Sequence, residues 1–312
     1  MVTVIIASFK EPKTIGKCIS SIVNRSYSGI PNDFEILQVS PDKETLDAGM
    51  KEAKKYRLGK KYIQIKDPKK GKPYALRMAF KKARGEIFIL TDGDTYFGKN
   101  GVKKLLEPFE NENVGGVGGR PVSQDSKKSK YGYWGHLLSD SAHDRRIATT
   151  NRIKKSHYYV SGETFFPMSG YIMAVRNLDI KLPANTLSDD AYMSYFIRNK
   201  NMEIAYAPKA TCYVKYPTNF KDYIKQKVRS IGGFTQLEQM GIFKKDKQSR
   251  SFWIELKYTG FVFKYAKNFR EFIWSLLLFP TRLVTWIMIF WERRILKKGM
   301  PKSGWARIES TK

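Results

Sequence analysis

Two aspartates separated by one glycine, Asp92-Gly93-Asp94, are the residues in this chain whose types and spacing best suit chemistry. Paired carboxylates offer hard oxygen ligands to a divalent cation, and two suffice when the cation also takes phosphate oxygens from a substrate. The glycine lets the backbone turn and leaves room for a ligand. The same three residues are also a common turn, so the local pattern leaves both readings open. A second acidic pair, Asp189-Asp190, follows Ser188. By spacing it is a helix start, with Ser188 as N-cap and the two acids complementing the helix dipole. Gln226 and Arg229, three residues apart, share one face of a later helix.

These side chains need a scaffold, and the first hundred residues supply a regular one. Residues 2–8, 34–39, 61–66 and the stretch ending at Asp92 read as strands. Residues 13–26, 44–56 and 72–83 read as helices, the first from Ile15, Ile19, Ile22 and Val23 at helical spacing. Such alternation demands a parallel sheet with right-handed crossovers. Ligands collect at the carboxyl ends of the strands in these sheets. The first end carries Ser8-Phe9-Lys10-Glu11, the second Ser40-Pro41-Asp42, and the fourth Thr91-Asp92-Gly93-Asp94. No Gly-x-Gly-x-x-Gly follows the first strand and no phosphate-loop Gly-Lys-Ser/Thr occurs, which disfavours dinucleotide and P-loop sites.

Farther along, the glycine-rich 114–120 reads as a strand that permits close approach. Residues 123–158 read as a polar, basic, irregular excursion on the substrate side; Tyr131, Tyr133, Trp134, His136, His143 and His157 lie in it, the histidines as surface residues rather than ligands. Short strands are expected at 171–175, 203–206 and 211–214, and a helix at 220–232.

The order of these pieces resembles the family-2 glycosyltransferases, whose fold is GT-A. The resemblance rests on the opening Thr3-Val4-Ile5-Ile6-Ala7-Ser8-Phe9-Lys10-Glu11, then Gly71-Lys72-Pro73-Tyr74-Ala75-Leu76, Asp92-Gly93-Asp94, Asp189-Asp190 and Gln226-Lys227-Val228-Arg229, in that order over residues 2–233. It implies a Rossmann-like α/β fold with a mostly parallel sheet and helices on both faces. It also implies an inverting glycosyltransferase that uses a nucleotide-diphosphate sugar, UDP- or GDP-linked, with Mg2+ or Mn2+. In that scheme Asp94 and Asp92 take the metal, and Ser8, Glu11, Asp42, Lys72 and Asp92 line the donor site. Asp190 is the base that removes the acceptor proton, while Asp189, Gln226 and Arg229 serve the acceptor and the leaving diphosphate. The chain departs from the pattern at Ser40-Pro41-Asp42, where paired acids are usual, at Val214, where some relatives have histidine, and at Ser230, which replaces a tryptophan. The last departure weighs against the alternative of a processive polysaccharide synthase.

The chain divides into a catalytic domain, 1–233, with a nucleotide-sugar half at 1–120 and an acceptor half at 121–233, and a basic amphipathic tail, 234–312. Net charge is +28, and residues 219–312 carry about twice the positive charge per residue of the remainder. Such an excess suits nucleic acid, anionic lipid or phosphate-bearing substrates. No nucleic-acid recognition motif occurs, and nucleic acid is not expected as a partner. Cys18 and Cys212 have no metal or redox spacing. The strand-like start carries no basic leader or cleavage site, which favours a cytoplasmic catalytic part.

Residues 272–291 match a membrane span in length, yet Arg282 and Pro280 interrupt them. Lys257, Lys264, Glu271, Ser275, Arg282 and Arg293 would fall on one helical stripe. Pro280 would kink or split the helix. One or two amphipathic helices lying in an anionic membrane surface at the cytoplasmic face fit this pattern, with Trp253, Trp274, Trp286 and Trp291 at headgroup level. A lipid-linked or glycan acceptor then follows by analogy.

Overall fold

The structure, a computed structural model, describes residues 1–152, 157–162, 166–243, 259–291 and 308–311. Its N-terminal part is the expected alternation: β1 (Val2–Ala7), α1 (Ile15–Val23), α2 (Arg25–Ser28), β2 (Phe34–Ser40), α3 (Lys43–Lys55), β3 (Tyr62–Lys66), α4 (Lys72–Lys82) and β4 (Ile87–Asp92). β1 pairs in parallel with β2 and β4, and β2 with β3. β1 is buried along its whole length because both sheet faces are covered. Alternate side chains go to opposite layers. Val4, Ile6, Ile36 and Ile89 pack with Ile15, Ile19 and Ile22 of α1, whereas Ile5, Leu37, Phe88 and Leu90 pack with Leu76 and Ala79 of α4.

The second half extends the same sheet through β5 (Tyr96–Phe97), α5 (Gly101–Leu106), β6 (Val114–Ser123), α6 (Lys130–Ala148), β7 (Thr150–Arg152), β8 (Tyr159–Ser161), β9 (Met173–Arg176), α7 (Asp189–Asn199), β10 (Glu203–Val214) and α8 (Phe220–Gln239). The strand order is β3-β2-β1-β4-β9-β6-β10-β8-β7, with β5 on β10. β9 runs antiparallel between β4 and β6 and so joins the two halves into one sheet. The strands expected at 203–206 and 211–214 are one bulged strand, whose register against β6 shifts between Tyr206 and Thr211. The helix expected to end near 232 continues to Gln239.

The excursion expected over 123–158 is instead largely a 19-residue helix, α6, capped by Ser129 Oγ, which accepts from the Gly132 amide at 3.1 Å. It lacks an apolar stripe because aromatic residues, Tyr133 and Trp134, do its packing, and a polar residue, Arg146, is buried along it. His136 and His143 are correspondingly partly buried, His136 against the Asp125 carbonyl at 2.7 Å and His143 against the Tyr206 hydroxyl at 2.7 Å.

The tail docks on this helix. α9 (Thr259–Tyr265) and α10 (Phe269–Phe290) close a third apolar cluster with Tyr133, Trp134, Leu137, Tyr223, Ile224 and Leu278. Trp134 Nε1 donates to the Trp274 carbonyl at 2.7 Å, and the hydroxyls of Tyr133 and Ser275 lie 2.8 Å apart. α10 continues through Pro280, so the proline does not split the helix. The hydroxyls of Thr281 and Thr285 donate to the Leu277 and Thr281 carbonyls and supply local hydrogen bonds around the proline. Ser275, Thr281 and Thr285 face the protein, and Leu276, Leu277, Leu283, Val284, Ile287 and Met288 face outward. Polarity is therefore inverted relative to a soluble amphipathic helix. Of the expected stripe, Lys257 and Arg293 lie outside the described residues, as does Trp253.

Candidate active site

The carboxyl ends of β1, β2 and β4 meet at one edge. Gly93 donates its amide to the Ala7 carbonyl at 3.0 Å and Ser8 to Val39 at 2.9 Å, which ties the turns after β4 and β1 to their neighbours. A Cβ on Gly93 would collide with Glu11 Oε2 and come 2.8 Å from Ser8 Cβ. This glycine is required for packing as well as for turning. It brings Ser8, Glu11, Asp92 and Asp94 into one neighbourhood.

Lys72, at the first position of α4, reaches into this edge. Its Nζ lies 2.6 Å from Asp92 Oδ1 and 3.6 Å from Asp189 Oδ2, with its side chain only 8% exposed. Burial alone would lower the lysine pKa, but Asp189, Asp92 and Asp190 raise it well above its ordinary value, so the side chain stays charged. Asp189 is raised, first by burial and then by Asp190 and Asp92, with Lys72 opposing. Lys72, expected among the donor ligands, is thus a buried cation between Asp92 and the Asp189-Asp190 pair.

Asp190 is held by three donors. Its Oδ1 accepts from Ser188 Oγ at 2.7 Å and from the Ala191 amide at 2.8 Å, and its Oδ2 accepts from the Gly170 amide at 3.1 Å. Ser188 thus occupies the N-cap position without capping the helix, because its hydroxyl is turned to Asp190. The next residue after Gly170 links the other half of the site. The Tyr171 carbonyl accepts from Thr91 Oγ1 at 2.9 Å, and its hydroxyl accepts from Gln226 Nε2 at 3.3 Å. Burial raises the Tyr171 pKa; the charge of Arg229 opposes this, and those of Asp94 and Asp92 add to it. Tyr171 therefore stands among Asp92, Asp94, Gln226 and Arg229. The backbone from Gly170 to Tyr171 connects Asp190 to this group.

Asp42 lies at the same edge but is engaged structurally. Its Oδ1 accepts from the Thr45 amide at 3.0 Å as the N-cap of α3, and its Oδ2 accepts from the Lys10 amide at 2.7 Å and from Ser40 Oγ at 3.0 Å. These bonds hold its pKa below the ordinary value despite burial. Spacing gave no hint of Tyr171, which stands just before β9. Asp67 is also missing from the sequence reading, although the rule that finds Ser8, Asp42 and Asp92 applies equally to the end of β3.

Asp92 and Asp94 fit a nucleotide-bound divalent cation by the chemistry of their donor set: two hard carboxylates, with the remaining positions left for phosphates. Among the described residues no group of three or more His, Cys, Asp or Glu forms a fuller cage, so those open positions are a requirement of the fit. A cavity of about 680 Å3 lies apart from these acids, between α6, β6 and β10, and is lined by Arg120, His143, Asp144, Tyr159 and Lys209 among others.

Similarities to known proteins extend over most of the chain. An N-acetylglucosaminyltransferase of Azorhizobium caulinodans is 24% identical over 239 residues, covering 73% of this chain and 58% of that protein. The chain thus spans somewhat over half the length of that relative. The mannosyltransferase PcManGT from Pyrobaculum calidifontis, solved with GDP-Man and Mn2+, superposes with a TM-score of 0.58 at 16% identity, over 92% of this chain and 83% of its own. GalNAc-T7, solved with UDP, GalNAc and Mn2+, superposes with a TM-score of 0.52 at 16% identity, over 88% and 56%. These neighbours share the GT-A architecture, a mostly parallel sheet with helices on both faces. The family described as glycosyltransferase like family 2 matches residues 1–233, the span from β1 into α8 that holds every residue of the acid cluster, and the chain belongs to that family.

Proposed function

We propose that the protein is an inverting glycosyltransferase that moves a sugar from a nucleoside-diphosphate sugar to a hydroxyl of a lipid-linked or glycan acceptor. The observation that carries this reading is the meeting around Lys72 of Asp92, from the Asp92-Gly93-Asp94 turn, with the distant pair Asp189 and Asp190. Asp92 and Asp94 would hold a divalent cation, which when bound supplies charge neutralisation at the donor diphosphate. Arg229 adds a fixed cation beside the departing phosphate. Asp190 is oriented by Ser188, Ala191 and Gly170 and keeps lone pairs for an acceptor hydroxyl, the arrangement a general base requires. Attack from that side and departure toward Asp94 and Arg229 inverts the anomeric carbon. The relatives support the donor class, since the two solved neighbours hold GDP-Man or UDP together with Mn2+.

The tail supports placement at a membrane. The outward face of α10 is apolar, Phe269–Met288 is long and apolar enough to cross or enter a bilayer, and only 22% of that window is buried. Lys264, Lys267 and Arg270 lie at its start, where anionic headgroups of a cytoplasmic leaflet would attract them. Hydrocarbon against the outward face and protein against Ser275, Thr281 and Thr285 satisfies both sides of the helix.

The deciding experiment screens UDP- and GDP-sugars for metal-dependent thermal stabilisation, then assays transfer to lipid-linked and free glycan acceptors. Stabilisation that needs both Mn2+ or Mg2+ and a sugar nucleotide, followed by product with inverted anomeric configuration, is the expected result. Absence of any nucleotide binding by the intact chain rejects the reading.

A further inference from the structure

The cavity of about 680 Å3 between α6, β6 and β10 lies on the opposite side of β4 from β1, β2 and β3, and the reaction described above leaves it unused. A break in β10 shapes it. The register of that strand against β6 shifts between Tyr206 and Thr211, and the bulge brings Pro208 and Lys209 to the cavity wall. Arg120 of β6 lines it as well. Its Nη2 donates to Asp140 Oδ1 at 2.9 Å, and the other oxygen of Asp140 accepts from the Tyr265 hydroxyl at 2.7 Å. Among the described residues Arg120 makes no other hydrogen bond, and its Nε is left without an acceptor. That is the state of a cation short of acceptors.

His143 adds a further donor. Its Nδ1 lies 2.7 Å from the hydroxyl of Tyr206, which is 3% exposed and has no other hydrogen-bond partner among the described residues. The phenol therefore donates to Nδ1, and the imidazole proton sits on Nε2. Burial, supported by the charge of Arg120, holds the His143 pKa below its ordinary value and keeps the ring neutral near pH 7. Lys209 is exposed, and its ammonium gives one proton to His157 Nδ1 at 3.3 Å and keeps others. Arginine, lysine and an imidazole N–H thus line one cavity with a single carboxylate, the exposed Asp144. Tyr159, Ile147 and Pro208 supply apolar wall. Cavities of about 300–1,000 Å3 hold whole small molecules, so the anion that suits these donors is attached to a body. The active site is close by. Arg146, one turn beyond His143 on α6, is 6% exposed, with its guanidinium 5.6 Å from the centre of the Tyr206 ring. Burial lowers its pKa, while Tyr206, Tyr216 and Asp190 oppose this, so the field of Asp190 reaches the inner side of the cavity wall.

We propose that this cavity binds the acidic unit of an oligosaccharide acceptor: Arg120, Lys209 and His143 Nε2 donate to a carboxylate or phosphate on the sugar, and its ring lies against Tyr159 and Pro208. Asp144 accepts from its hydroxyls. That this saccharide is the acceptor rests on the transferase reading given under the proposed function; the anion site itself does not. The donor in that reading occupies the ends of β1 to β4, so a molecule that reaches from Asp190 toward β6 and β10 is the second substrate. Charge-assisted hydrogen bonds favour the charged sugar. A neutral sugar leaves the cations unmatched.

The test titrates the full chain with glucuronate, glucose 6-phosphate, glucose and inorganic phosphate, followed by nuclear magnetic resonance, for the wild type, Lys209→Gln and Lys209→Glu. The wild type is expected to bind one of the two acidic sugars about tenfold more tightly than glucose, and the glucuronate and glucose 6-phosphate arms identify the anion it takes. Lys209 is exposed on a bulge, so both variants keep the fold. Lys209→Glu should weaken the preferred acidic sugar about tenfold or more and leave glucose within about twofold, with Lys209→Gln between it and the wild type. A wild type that binds glucose as well as the acidic sugars, or inorganic phosphate as tightly as either, overturns the assignment, and so do variants that retain wild-type affinity. Calorimetry with Mn2+ and UDP or GDP on the same proteins should give equal binding for wild type and variants. If neither nucleotide binds the wild type, the transferase reading fails, while the sugar titration still decides the anion site.

Discussion

Lys72 Nζ stands 2.6 Å from Asp92 Oδ1 and, on its other side, 3.6 Å from Asp189 Oδ2. One buried ammonium therefore joins the end of β4 to the start of α7, elements almost a hundred residues apart. Four aspartates gathered at one sheet edge repel one another, and this cation offsets part of that repulsion before any substrate arrives.

Lys72→Met should leave Asp189 buried without its counter-ion. Removing one partner of a buried pair costs about 3–5 kcal/mol, and chemical unfolding should show a loss of that order. Adding Asp189→Asn should recover part of it, because the stranded charge is then gone. A double-mutant cycle in which the two losses simply add would remove the bridge from this account.

Asp94→Asn and Asp190→Asn should separate two functions. The first should abolish Mn2+ binding and, with it, nucleotide binding. The second should leave both intact and lower turnover by about 10²–10⁴, the usual contribution of a positioned general base. Calorimetry with Mn2+ and UDP or GDP, alongside a transfer assay, distinguishes them. Full turnover by Asp190→Asn takes that residue out of the base role.

The base of the sheet responds to acid. Glu35 accepts from the Arg84 amide, the Arg84 side chain and Thr3 Oγ1 at 2.7–2.8 Å, and these partners hold its pKa below the ordinary value although burial opposes them. A depressed folded-state pKa stabilises the fold above the unfolded value, near pH 4–5, and that stabilisation is lost as pH falls through the folded value. Glu35→Gln should be less stable than wild type at pH 7, and its melting temperature should fall less steeply below pH 4. Parallel curves for the two proteins would contradict the linkage.

The outward face of α10 predicts a mutant with altered location and unaltered fold. Leu283 and Ile287 are 51% and 54% exposed, so Leu283→Glu with Ile287→Glu should change the melting temperature little. Co-sedimentation with vesicles containing anionic lipid should fall about tenfold or more, since two charges replace two apolar anchors. Undiminished sedimentation would place membrane contact elsewhere.

The sequence by itself determined the alternating strands and helices of the N-terminal half and their order. Burial on both faces makes Val4–Ala7 and Ile87–Leu90 continuous apolar runs, and Ile15, Ile19 and Ile22 recur at helical spacing, so both patterns are local and readable. It also pointed to Asp92, Asp94, Asp189, Asp190, Gln226 and Arg229 as residues suited to chemistry. Helix α6 escaped it because its packing relies on aromatic residues and a buried arginine rather than on an apolar stripe. Only the tertiary structure decided how the acids are shared out. Asp42 spends its oxygens on α3 and Lys10, Lys72 is drawn between Asp92 and Asp189, and Tyr171 is carried into the site ahead of β9. Periodicity records which way a side chain leaves its own element. The partner it meets depends on how strands distant in sequence line up, and no local pattern encodes that.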